Sequence, residues 1–131
     1  MRVLALDHGS ARCGAAISDP SGTLATPLGA VERADTKKGL AAVVRIAEEK
    51  GAERIVVGLP LTLAGEEGEQ ARHARTFAER LAGKVSIPVE LHDERMTTRL
   101  AERTGGQGDA DSRAAAHLLE SYLARAGADA P

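Results

Sequence analysis

Aromatic side chains are nearly missing from this chain: Phe77 and Tyr122 stand alone among 131 residues, and tryptophan is absent. Gripping single strands by base stacking needs exposed rings, so that mode of binding is not expected. Cysteine occurs once, as Cys13. No internal disulfide can form, which fits a reducing, cytoplasmic setting. No apolar run approaches the roughly 18 residues of a membrane span, and the N-terminus shows no signal-peptide pattern, so no membrane partner is expected. An excess of positive charge is missing too, with 17 Lys and Arg against 19 Asp and Glu for a net charge of −2. A nucleic-acid binder relying on bulk basicity carries a strong positive footprint. This chain would need local cations or bound divalent ions instead.

What remains is ordinary for a globular protein, with 43% hydrophobic and 27% charged residues. The length suits one domain, expected over residues 1–125 with a frayed tail at 126–131. Residues 2–7 (RVLALD) form a nearly continuous apolar run, the pattern of a strand covered on both faces. Residues 13–18 (CGAAIS) should pair with it as a hairpin, and 23–31 (TLATPLGAV) form a third strand that Pro27 confines to an edge or a bulge. Asp35 is the expected cap of a helix ending at Gly51. A second buried strand covers 53–60, followed by a glycine-bearing loop. The next helix carries Ala71, Ala74, Phe77, Ala78 and Leu81 on one face. An edge strand spans 86–94, a short helix 95–103, and a last helix about 111–125. This order predicts an α/β fold, a mixed sheet flanked by helices.

Acidic residues fall at three element ends. Asp7 closes the first strand, Asp93 and Glu94 close the last, and Asp111 opens the final helix. Sites in α/β sheets assemble at the carboxyl ends of strands. Converging carboxylates repel one another unless a cation intervenes. Mg²⁺ and Mn²⁺ favour oxygen ligands, and two such ions about 4 Å apart can activate water and stabilise a leaving oxygen in phosphodiester hydrolysis. Each acidic residue also fits a purely structural role: a turn former at Asp7, a helix cap at Asp111, dipole complements at Asp93 and Glu94.

Four ordered stretches, LALDHGSARCGAAISD, VVGLPLTLAGEEG…RTFAERL, PVELHDERMTT and DSRAAAHLLESYL, resemble the YqgF/RuvX family from Arg2 to Leu123. Members are described as Holliday junction resolvases and as nucleases trimming the 5′ end of pre-16S ribosomal RNA. The resemblance implies a ribonuclease H-like fold of five strands, the second antiparallel to the rest. It implies that Asp7, Glu94 and Asp111 are catalytic and hold two Mg²⁺ or Mn²⁺ ions, with Asp93 as second choice. The implied partners are structured RNA or branched DNA, with pre-ribosomal particles, for a monomer or a homodimer. The chain departs from many relatives between Thr98 and Asp111, where a short glycine-rich loop replaces a longer basic segment.

Supporting roles are assigned more loosely. Gly9 and Gly14 could let backbone approach a phosphate. Arg12, Arg72, Arg75 and Arg95 could contact nucleic acid, or simply pair with nearby carboxylates. Thr97 and Thr98 fit a cap of the short helix ahead of a contact with nucleic acid. His8, His73, His92 and His117 lack zinc-ligand spacing, and only His8, beside Asp7, suggests a proton carrier. Cys13 reads as a small core residue. Besides RNA processing and junction cleavage, two further readings follow. The D-x-G-x-x-x-x-G pattern at Asp7, Gly9 and Gly14 is similar to the phosphate loop of actin-like kinases, which need a second lobe that 131 residues cannot supply. A non-catalytic ribosome-assembly factor would retain the fold without turnover.

Overall fold

The structure is a computed structural model describing residues 1–62, 64–93 and 110–129. Five strands form one mixed sheet: β1 (Val3–His8), β2 (Arg12–Ser18), β3 (Ala25–Glu32), β4 (Arg54–Leu59) and β5 (Val89–Asp93). Among the described residues three helices accompany them: α1 (Lys37–Glu49), α2 (Glu69–Ala82) and α3 (Ala110–Asp129). The strand order is β3-β2-β1-β4-β5. β2 runs antiparallel to both its neighbours, whereas β1, β4 and β5 are mutually parallel. This is the expected arrangement, and it sends the carboxyl ends of β1, β4 and β5 to one end of the sheet.

Strand alternation divides the core into two layers. Leu4 and Leu6 of β1 and Ile55 and Val57 of β4 pack against Leu40 and Val43 of α1 and Phe77 and Leu81 of α2. On the opposite face, Val3, Ala5, Ala16 and Val56 meet Ala115, Leu118 and Leu119 of α3. Ala5, Ala16, Ala115 and Ala116 stand among the larger side chains of this second layer. β1 is buried on both faces, as its unbroken apolar run requires.

Pro27 lies on the outer strand β3, beside a register shift opposite Ala15 and Ala16. There the missing N–H costs no ladder bond. α1 is capped by Thr36, whose Oγ1 accepts from the Gly39 amide at 3.0 Å. The expected cap, Asp35, bonds to His8 instead. The apolar face expected for α2 is the buried one, residue for residue. α3 passes through Gly127 and continues to Asp129, beyond the stop expected at Arg125. A single glycine costs a helix only about 1 kcal/mol relative to alanine. The helix expected at 95–103 lies outside the described residues.

Candidate active site

Asp7 is in phase with Val3 and Ala5, so it belongs to the face that α3 covers. Its cross-strand partner on β2 is Gly14. A Cβ added to Gly14 would sit 1.9 Å from the carbonyl oxygen of Asp111 and 3.1 Å from the Ser112 amide nitrogen. Glycine is therefore required for α3 to begin where it does. The first turn of α3 rests on the backbone of β2 directly across from Asp7. Asp7 and the backbone of Asp111, far apart in sequence, thus meet at one glycine.

On the other flank of Asp7 lie β4 and then β5. One step beyond the Leu6–Val57 pairing, Gly58 of β4 lies level with Asp7, and His92 of β5 pairs with Gly58. The row on the α3 face reads Gly14, Asp7, Gly58, His92. His92 Nε2 shares a 3.0 Å hydrogen bond with Ser121 Oγ, and its ring meets Tyr122 edge-on. Burial, with Arg125 nearby, holds this imidazole below the usual histidine range and so neutral at pH 7. Next to it, Tyr122 donates to Glu90 at 2.6 Å and accepts from Arg54 at 3.0 Å.

Arg12, Gly14 and Ala16 alternate on this same face, and Arg12 Nε donates to Asp111 Oδ2 at 2.8 Å. Both side chains are solvent-accessible, at 56% and 35%. The pairing alternative foreseen for Arg12 is thus the observed one. Asp93 shares its face with Val89 and Leu91, which pack toward α1 and α2, and so looks away from Asp7. Glu94, Arg95, Thr97 and Thr98 lie outside the described residues, as does the short loop before Asp111. Among the described residues no three His, Cys, Asp or Glu side chains form a metal-holding group.

Several residues expected at the site also have contacts within the fold. The close approach at Gly14 is made by the Asp111 backbone. At Gly9 the amide donates to the Arg12 carbonyl at 2.9 Å, and an added Cβ would lie 2.8 Å from that oxygen. The absent side chain there closes the β1–β2 turn. Arg75 grips Glu67 with two bonds of 3.0 and 2.9 Å and so clamps the loop before α2, while Arg72 is exposed. Both arginines belong to the helix layer on the far face of the sheet from Asp7. The Cys13 thiol is pushed up by burial, with Asp7, Asp35 and Asp111 adding to the effect, so it is no nucleophile.

The clearest departure from expectation is His8. It is adjacent to Asp7 in the chain and therefore on the opposite face of the sheet. It is 6% exposed, stacks on Phe77 with centroids 4.8 Å apart, and donates from Nε2 to the Asp35 carboxylate at 2.8–2.9 Å. The Asp35 carbonyl in turn accepts from Arg80. No sequence signal links His8 to Asp35, since the pairing depends on the approach to α1 and not on spacing.

A family model described as Holliday junction resolvase, RuvX, matches residues 1–125. The chain belongs to the RuvX family. Curated relatives agree with it over most of their length. A protein of Chloroflexus aurantiacus named "Putative pre-16S rRNA nuclease" is 41% identical over 130 residues, covering 92% of this chain and 85% of that protein. A namesake from a Nocardioides species is 47% identical over 135 residues, with the same coverage. Among solved structures, Thermus thermophilus RuvC in complex with a Holliday junction superposes with a TM-score of 0.60 at 18% identity, over 97% of this chain and 96% of that one. That likeness shows the ribonuclease H-like fold.

Proposed function

We propose that this chain is a divalent-metal-dependent nuclease that hydrolyses phosphodiester bonds at the 5′ end of the small-subunit ribosomal RNA precursor, acting in the cytoplasm on pre-ribosomal particles. The observation that carries the reading is the convergence of Asp7 and Asp111 over Gly14. Relatives about 40% identical bear a pre-16S rRNA nuclease name, which supports RNA as the substrate.

The residues fit a hard cation. Asp7 on β1 and Asp111 in the first turn of α3 both border Gly14, and Asp111 already holds a positive group, the Arg12 guanidinium. Their oxygens suit Mg²⁺ or Mn²⁺. Asp7 and Asp111 would be ligands, with Glu94 as the third in preference to Asp93, because Asp93 faces the other layer. Bound cations supply an activated water and charge stabilisation at the leaving oxygen. The chain supplies the fixed placement of the carboxylates: β1 is locked on both faces, and α3 is seated on β2 without an intervening side chain. Arg12, solvent-accessible and bonded to Asp111, would be placed to meet substrate phosphate.

The family description favours a second reading, cleavage of four-way DNA junctions. That activity calls for two sites facing one junction and hence a homodimer. A direct comparison decides between them. A 5′-extended 16S precursor fragment and a synthetic four-way junction are incubated with Mn²⁺, Mg²⁺ or EDTA. Metal-dependent cutting of the RNA alone supports the first reading. Symmetric cutting of the junction alone supports the second.

A further inference from the structure

Arg12 begins β2, on the same face as Gly14, and its guanidinium occupies one oxygen of Asp111. A cation of the chain itself is thus in direct contact with a proposed metal ligand. A divalent ion bound by Asp7 and Asp111 and a guanidinium bound by Asp111 compete for the same negative charge. Two positive groups close to one carboxylate repel each other, so arrival of one weakens the hold on the other. Arg12 is more than half exposed and sits at a strand end, so its side chain can swing without disturbing the core. A freed guanidinium at the rim of an anionic site is suited to a phosphate oxygen, which it can contact bidentately.

We infer that Arg12 is an exchanging counter-ion: it neutralises Asp111 while the carboxylates lack a divalent ion, and moves to substrate phosphate once they are loaded. The inference rests on the nuclease reading above and adds a coupling between metal and nucleic acid. Because the coupling is a property of binding free energies, it must appear in both directions. Removing Arg12 should tighten metal binding. It should also weaken nucleic-acid binding when metal is present and leave it nearly unchanged when metal is absent.

The test measures Mn²⁺ affinity by the free-ion electron paramagnetic resonance signal, for the wild type, Arg12→Gln, Arg12→Lys and Asp7→Asn. The affinity of a fluorescein-labelled 5′-extended 16S precursor fragment is then read by anisotropy, in Ca²⁺ and in EDTA. Arg12→Gln should bind Mn²⁺ about two- to fivefold more tightly, the scale of an exposed ion pair. Arg12→Lys, which retains the charge, should stay within about twofold of wild type. The RNA affinity of Arg12→Gln should fall several-fold in Ca²⁺ and hardly at all in EDTA. Unchanged or weaker Mn²⁺ binding by Arg12→Gln, or an equal RNA loss in both media, would overturn the exchange. Asp7→Asn separates this failure from that of the underlying reading: if it binds Mn²⁺ as well as wild type does, the carboxylate site itself is wrong.

Discussion

Gly14 and Asp111 are in direct backbone contact: the place where a β-carbon would stand on Gly14 is 1.9 Å from the Asp111 carbonyl oxygen. Far apart in the chain, these two residues decide where α3 starts, and so where its first carboxylate is held relative to Asp7. Gly14→Ala must push the helix off the strand. Overpacking of this kind costs about 1–3 kcal/mol, more where backbone opposes backbone. The variant should show a lower urea midpoint and lose both Mn²⁺ affinity and cleavage. A variant with wild-type metal binding would show that α3 can shift without displacing the site.

The His8–Asp35 pair lies on the other face of the sheet and should be separable from chemistry. His8 Nδ1 already has no hydrogen-bond partner among the described residues. Weakening the Asp35 carboxylate leaves a buried imidazole without its charged acceptor, at a cost of about 1–2 kcal/mol. Asp35→Asn should therefore lower the thermal midpoint while Mn²⁺ affinity stays at the wild-type value. Loss of metal binding in a folded Asp35→Asn protein would make the two faces interdependent.

Asp19 shapes the acid limb of stability. Its carboxylate accepts from the amides of Leu24 and Thr23 at 2.8 Å each and from the Ser21 hydroxyl, which hold its pKa well below the usual 3.8. A carboxyl depressed in the folded state stabilises fully above its unfolded pKa, and that contribution is lost as pH falls toward the folded value. Thermal midpoints of wild type should thus drop more steeply below about pH 4 than those of Asp19→Ala. Parallel curves over that range would remove Asp19 from the acid transition.

The fold is legible in the sequence where the signal is local and periodic. The doubly apolar β1, the five buried positions of α2 and the edge position of Pro27 each follow from the burial that their spacing demands. The placement of Asp7 at the mouth of the sheet follows from where its apolar run stops. Features that escape such reading depend on contacts between distant segments. Asp35 has the chemistry of a cap for α1, but Thr36 is one residue nearer the first turn and leaves Asp35 to His8. Gly14 resembles a phosphate-approach glycine, yet the group it admits is the protein's own helix. Adjacency in sequence suggests that His8 serves Asp7, whereas strand alternation sends the two to opposite faces.

The proposed function stands or falls on Asp7 and Asp111 acting as one metal-dependent cleavage site. The most direct measurement is the rate at which a 5′-extended 16S precursor fragment is cut in Mn²⁺ by wild type, Asp7→Asn and Asp111→Asn, with circular dichroism confirming that each is folded. Wild type should cut, and EDTA should abolish the cutting. Either variant should lose at least about 100-fold in rate, the scale of removing a group that acts on the transition state. Cutting by both variants at the wild-type rate would contradict a shared site.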